Sequence, residues 1–265
     1  SAEKWQECAI ELDTKDLCIG GVAHEELFDR LLRNARRRVI IHSTFLGDKA
    51  LARKLDVFAD AVKQGAEIDI LWDRAETNAA GKTLRVCREL IKGRGLENQV
   101  RVQPTSTGSH AKLLVADDGL GEYVAVVGSC NWLLTGFNSV EISVCFRDRQ
   151  IVFDCLGILE KLIHRPRFRD VQLRADIVAL RNQIKPLEEY QNSPVTARLL
   201  SNGCHEKSIE LARDTAQRDI FIASHKLGGP VETQMLIPLV SAVKARGVDV
   251  NVYYQKQTGP AKGEA

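Results

Sequence analysis

Apolar residues fall at helical spacing through residues 24–41 (HEELFDRLLRNARRRVII). Leu27, Leu31 and Leu32 share one face, and Val39-Ile40-Ile41 follow as an unbroken apolar run. This pattern predicts a helix leading into a buried strand. A second amphipathic helix is predicted over residues 49–64 (KALARKLDVFADAVKQ), ended by Gly65, the residue type favoured just past a helix terminus. The alternation in Glu67–Trp72 (EIDILW) then predicts another strand. The same order returns 181 to 182 positions later. His205–Gln217 reads as a helix, Asp219–Ala223 as a strand, Leu236–Ala245 as a helix stopped at Gly247, and Val248–Tyr254 as a strand. Ser43 matches Ser224, Gly65 matches Gly247, Ile68 matches Val250, Ile70 matches Val252 and Trp72 matches Tyr254, with a one-residue slip near Gly229-Pro230. A repeat of this length predicts two pseudo-symmetric α/β halves, each with a parallel or mixed sheet covered by helices.

The chemistry is concentrated between the two repeat units. Gln99–Gln103 reads as a strand, Pro104–Ser109 as a polar loop, and residues 110–116 as a further strand. Asp117-Asp118-Gly119 supply a turn, Tyr123–Val127 return as the partner strand, and Gly128-Ser129-Cys130-Asn131 form a small polar bend. On such a strand His110 and Lys112, two apart, are expected to face the same side. The hairpin would then bring His110, Lys112, Ser129 and Asn131 to one place. An imidazole titrates near neutrality and serves as nucleophile or acid/base, while a lysine ammonium suits a non-bridging phosphate oxygen. Asn and Ser groups with nearby backbone N–H groups add donors to the same oxyanion. Phosphoryl chemistry without a metal or other cofactor is the reading that set supports.

His110-x-Lys112-x4-Asp117 followed by Gly128-Ser129-x-Asn131 resembles the HKD motif of the phospholipase D superfamily. The resemblance covers most of residues 19–146 and restarts near residue 198. It implies a phospholipase D-like α/β/α sandwich with a mixed sheet and pseudo-repeated halves, the second truncated. It also implies that His110 acts as the nucleophile forming a phosphohistidine, or as the leaving-group acid, with Lys112 and Asn131 holding phosphate oxygens. Asp117 would order the hairpin as a structural residue beside Gly128. Glu141, ten residues after Asn131, resembles the acidic residue that orients such a histidine. The ten residues between Asp117 and Gly128 exceed the family's usual six, an excess a longer hairpin turn absorbs. The family's second motif is expected at about position 292 by the repeat offset, past residue 265. Its place would be taken by a further C-terminal segment or by a second copy of the chain.

On this basis residues 1–148 are expected to form the first half, 149–194 a helical linker built on Arg149–His164 and Val171–Gln191, and 195–265 the start of the second half. Ser224-His225-Lys226 aligns with Ser43-Thr44-Phe45 at a strand end that opens toward the hairpin. Ser43, His225, Lys226, Ser129 and Trp132 are therefore candidate substrate contacts, Trp132 as a stacking surface. His24 and His42 read as structural, Arg36-Arg37-Arg38 as a helix-end cluster, and Cys130 as a candidate for oxidation. The 265 residues carry 37 basic and 35 acidic side chains, a net charge of +2, so an anionic partner must be held by a local patch and not by bulk charge. Seven scattered cysteines with no C-x-x-C pair suit a reducing intracellular compartment, the cytoplasm being the expectation. The reading as a whole is a metal-independent phosphodiesterase, with DNA or RNA, preferably single-stranded, as expected substrate and partner. The alternatives are a phospholipase or transphosphatidylase, and a non-catalytic phosphate- or nucleic-acid-binding module.

Overall fold

The computed structural model describes residues 7–10, 12–75, 80–134, 136–137, 141–164, 168, 170–185, 195–198, 204–227 and 246–257. The predicted helix over 236–245, Arg165, Arg167 and Arg169, and the terminal stretch 258–265 lie outside the described residues. Contacts divide the chain into a unit of residues 7–197 and a second unit of residues 1–6 and 198–265.

The larger unit is built on seven strands in the order β2-β8-β7-β6-β3-β4-β5. Three of them run parallel: β3 (Arg38–Leu46), β4 (Glu67–Ala75) and β5 (Val100–Val102). Two helices, α2 (Asp48–Lys63) and α3 (Ala80–Gly93), make the crossovers between them. On the other flank β6 (Leu113–Asp117), β7 (Tyr123–Gly128), β8 (Ile142–Phe146) and the edge strand β2 (Leu17–Ile19) are all antiparallel to their neighbours. The sheet is therefore mixed. A short ribbon of β1 (Glu7–Ile10) and β9 (Val195–Arg198) stands apart from it.

Strand alternation assigns the two faces. Val39, Ile41, Ile68, Ile70, Leu114, Ala116, Val124 and Val126 face a core closed by α1 (Gly21–Asn34), α2 and α3. The predicted stripe of α1 supplies Leu27, Phe28, Leu31 and Leu32 to it, all buried. The intervening positions, among them Ile40, Leu71, Val115 and Ala125, are also buried, on the opposite face. There α4 (Arg149–Ile163) packs on β6 and β7, and α5 (Val171–Ile184) packs on α4. Residues 149–184, expected as a linker, are thus the second helical layer of the first unit. Ile151, Cys155, Leu159, Leu173, Ile177 and Leu180 are buried at helical spacing, so these helices have a sheet face to cover.

The repeat is visible as register. In the first unit β3 pairs with β4 so that Val39 opposes Ile68 and Ser43 opposes Trp72. In the second unit β10 (Asp219–Leu227), preceded by α6 (Cys204–Thr215), pairs with β11 (Asp249–Gln257) in the same parallel sense. Ile220 opposes Val250 and Ser224 opposes Tyr254, the counterparts of those two first-unit pairs. Gly65 and Gly247 both take positive φ, +96° and +68°, at the turns that enter β4 and β11.

Candidate active site

The parallel strands β3 and β4 end at one edge of the sheet, where open α/β folds place their ligand-binding loops. His42, Thr44 and Asp73 arrive there from strand alternation alone, on the face opposite Ser43 and Trp72. Over them lies an irregular segment, residues 103–112. His110 and Lys112 belong to this segment and not to a strand, because β6 begins only at Leu113. The expected extension of the strand back to His110 is corrected. Backbone pairing between β3 and β6 starts at His42–Leu113, and before it the carbonyls of His110 and Ala111 accept from side chains instead.

The His110 ring is 61% exposed, and its Nε2 lies 3.6 Å from Oδ2 of Asp73, whose side chain is only 8% exposed. That spacing is electrostatic contact, longer than a hydrogen bond. Ser106 donates its hydroxyl to the other Asp73 oxygen at 3.2 Å, and the edge of Phe45 closes one side of the imidazole at 6.2 Å between ring centres. The second ring nitrogen of His110 has no hydrogen-bond partner among the described residues. Lys112 donates to Thr44 Oγ1 at 3.0 Å and to the His110 carbonyl at 3.1 Å. An ammonium has three N–H bonds, so one remains for a ligand. Burial pulls the Lys112 pKa below the usual lysine value, partly opposed by the charges of Glu141 and Cys130.

The remaining expected residues separate into groups. Glu141 is buried and its carboxylate accepts a hydrogen bond from the Ser129 hydroxyl. It makes no hydrogen bond or ion pair with His110, so the carboxylate facing the imidazole is Asp73 and not Glu141 as expected. Glu141 acts instead on Ser129 and, through space, on Lys112. Ser129 Oγ also accepts from the Ile142 N–H at 3.0 Å. Asn131 Oδ1 is buried without a partner among the described residues. No side chain fits at Gly128: a Cβ there would stand 2.1 Å from Ser143 Oγ and 2.3 Å from the Ile142 carbonyl. The Asp117 carboxylate accepts the backbone N–H groups of Arg36, Arg37, Arg38 and Gly119 at 2.9–3.2 Å, tying the hairpin to the α1–β3 turn.

Two expected substrate contacts are corrected. Ser43 is fully buried, donating to the Phe45 carbonyl at 2.7 Å, because its strand position points into the core. Trp132 is 1% exposed and stacks on Phe28 at 5.6 Å, which removes it from any substrate. Cys130 is buried as well, out of reach of an oxidant in the folded chain. His225 and Lys226 lie on β10 near its end, and their side chains are outside the described residues.

Sequence reading also passed over residues that build the site. His42 is fully buried and pushed down to a pKa of about 4, with desolvation the largest cause. Its ring bonds Ala111 O at 2.7 Å and Thr107 Oγ1 at 2.8 Å. Asp73 carried one local mark, a carboxylate directly after the predicted strand that ends at Trp72. Among the described residues no three His, Cys, Asp or Glu side chains cluster as a metal-binding group. No helix among them is long and apolar enough to cross a membrane.

Comparison with known families matches residues 28–163 to the family described as "Cardiolipin synthase, PLD-like domain". That span runs from α1 through the end of α4 and contains the whole site. Comparison with curated protein sequences finds no match. Among solved structures, phosphatidylserine synthase from Haemophilus influenzae is similar with a TM-score of 0.63 and 13% identity, over 93% of this chain and 63% of that one. This chain therefore spans less than two thirds of that synthase. NucT from Helicobacter pylori aligns at a TM-score of 0.40 and 16% identity, over 61% of this chain and 97% of that one. Yeast tyrosyl-DNA phosphodiesterase aligns at 0.41 and 15%, over 83% and 60%. At these identities the likeness establishes the fold, and only the first alignment is close enough to carry it.

Proposed function

The chain belongs to the PLD-like family of the phospholipase D superfamily, and from that premise we propose that it is a phosphodiesterase whose nucleophile is His110. The observation that carries this is the state of the imidazole. One ring nitrogen faces the Asp73 carboxylate while the other is exposed and unpartnered among the described residues, beside a tethered ammonium with an N–H to spare. The carboxylate favours a proton on the nitrogen facing it, leaving a lone pair on the other. That lone pair attacks phosphorus, the bond from phosphorus to the leaving oxygen breaks, and a phosphohistidine forms. Water then attacks the same phosphorus, giving its proton to the base left by the leaving-group acid, the P–N bond breaks, and His110 is restored. Lys112 and Asn131 hold the non-bridging oxygens, and Glu141, paired with Ser129, supports the charge of Lys112. The leaving oxygen needs a proton donor other than the attacking nitrogen, and we assign it to a second half-site from a further segment or another copy. No step needs a cation, because the compensating charge is the Lys112 ammonium.

A nucleic-acid substrate is favoured by the charge of one helix. Lys82, Arg85, Arg88 and Lys92 are exposed at helical spacing on α3, which follows the end of β4 carrying Asp73. Exposed cations at helical spacing on the helix that follows β4 suit a phosphate backbone. The second reading, a phospholipid diester, is favoured by one observation. Leu17, Ile19 and Ile142 are exposed on β2 and β8, and Ile142 directly follows Glu141.

The test is hydrolysis in EDTA of single-stranded DNA, RNA and phosphatidylglycerol vesicles by the wild-type chain and by His110→Ala. Release of nucleotide fragments by the wild type alone is the expected result. Equal rates in both proteins would end the assignment of His110, and release from vesicles only would transfer it to lipid.

A further inference from the structure

We propose that His42 and Thr44 are positioning residues that hold the irregular loop 107–112 in the geometry that presents His110 and Lys112. This rests on the phosphodiesterase reading for its effect on rate, though not for its structural content. Between Gln103 and Leu113 the loop has little regular backbone pairing, the Thr107 N–H to Trp72 carbonyl bond at 2.8 Å being its main tie of that kind. Apart from Asp73 of β4, which meets Ser106 and His110, its side-chain ties run to two residues of β3 that share a face because they are two apart.

The first tie is His42. A carbonyl only accepts, so the contact with Ala111 O places the hydrogen on Nδ1 and leaves Nε2 to accept the Thr107 hydroxyl. One buried neutral ring therefore clamps the loop at both ends of the segment that carries His110. Thr107 Oγ1 in turn accepts the Ser109 N–H at 3.3 Å, extending the clamp toward His110. The second tie is Thr44, whose single hydroxyl donates to the His110 carbonyl at 2.9 Å and accepts from Lys112 at 3.0 Å. It fixes the backbone of one functional residue and the side chain of the other.

The repeat shows that the strand itself does not call for this imidazole. The counterpart of His42 on β10 is Ala223, in a strand with the same parallel pairing to its neighbour. The equivalent of Thr44 there is His225, so both clamp residues differ between the halves. The clamp belongs to the half that carries the His110–Lys112 loop. Displacing a reacting group by about 1 Å lowers rates about 100-fold, which sets the scale expected when such a clamp opens.

The experiment compares wild type with His42→Leu, His42→Asn, Thr44→Val and Thr107→Val. It reads hydrolysis of bis(p-nitrophenyl) phosphate and amide hydrogen exchange across the chain. His42→Leu is expected to lower kcat about 10- to 100-fold and to speed exchange at least about 10-fold in residues 107–112, while β3, β4 and β6 keep wild-type protection. His42→Asn retains a donor for the Ala111 carbonyl and is expected to recover part of kcat. Thr107→Val added to His42→Leu should cause little further loss, since both break one clamp. Unchanged kcat and exchange in a folded His42→Leu protein would overturn the proposal, as would acceleration spread evenly over all strands. If His42→Leu does not fold, His42→Asn and Thr107→Val decide on the same two readouts. If the wild type hydrolyses no diester, the phosphodiesterase reading fails, and exchange in residues 107–112 alone judges the clamp.

Discussion

Asp117 offers the sharpest test of how the fold delivers the hairpin to its place. Its carboxylate collects four backbone N–H groups, those of Arg36, Arg37, Arg38 and Gly119. The side chain is 1% exposed, so in Asp117→Ala little water can replace the lost acceptor. At about 1 kcal/mol for each hydrogen bond lost from a part-buried donor, the substitution should cost about 4 kcal/mol. Asp117→Asn keeps the volume but turns an N–H pair toward donors that need an acceptor, so about 2 kcal/mol is expected. Urea unfolding measures both, with the midpoint moving and the slope unchanged. A thermal melt should shift by about 10 °C for the alanine variant. Loss of less than about 1 kcal/mol in Asp117→Ala would refute the view that this carboxylate welds the hairpin to the α1–β3 turn.

Other outcomes follow from the same geometry. Buried neutral His42 remains unprotonated in the fold down to about pH 4, whereas the unfolded chain binds that proton below about 6.5. Stability should be full above pH 6.5 and fall by about 3 kcal/mol as pH drops to 4, then level off from this group, and His42→Asn should flatten that slope in urea titrations at each pH. Lys112 has a lowered pKa, so activity is expected to decline on the alkaline side before ordinary lysines titrate; Lys112→Arg, which stays charged, should move that limb upward in a pH–rate profile. Trp132→Ala should cost about 3–5 kcal/mol of stability, since its ring is stacked on Phe28 in the core. It should leave KM unchanged in whatever fraction stays folded, and a selective rise in KM would restore Trp132 as a substrate contact.

Much of the architecture was legible because it repeats. The two units could be matched in sequence at Ser43 and Ser224, Gly65 and Gly247, and Ile68 and Val250, while the parallel register of each strand pair is a finding of the structure. The hairpin was equally legible, since Asp118 and two glycines with positive φ, Gly119 and Gly121, mark its turn. Helix α3 went unread although Thr83, Cys87 and Ile91 are buried at helical spacing, a stripe diluted by the exposed cations between them. The site itself was legible only in part. His110 and Lys112 announced themselves by spacing, but the spacing was taken for a strand. Side chains from β3 take the carbonyls of His110 and Ala111, so the ladder that would have carried the strand back to His110 is missing there. The partnership of Asp73 with His110 joins residues 37 apart in the chain and is created by two strands ending at one edge. Ser43 shows the converse: a residue beside functional ones in sequence faces the core when the pleat turns it inward, and Trp132, in the turn after β7, is held in the core by its stack on Phe28.

The central claim is that His110 attacks phosphorus, and trapping the intermediate tests it most directly. The wild-type chain would be mixed with single-stranded DNA in EDTA, quenched in alkaline denaturant to preserve a P–N bond, digested and sequenced by mass spectrometry. A phosphoryl-linked nucleotide on His110, lost on mild acid treatment and missing from His110→Ala, is the expected result. Turnover of DNA with no adduct on His110, or an adduct that persists in His110→Ala, would contradict the account.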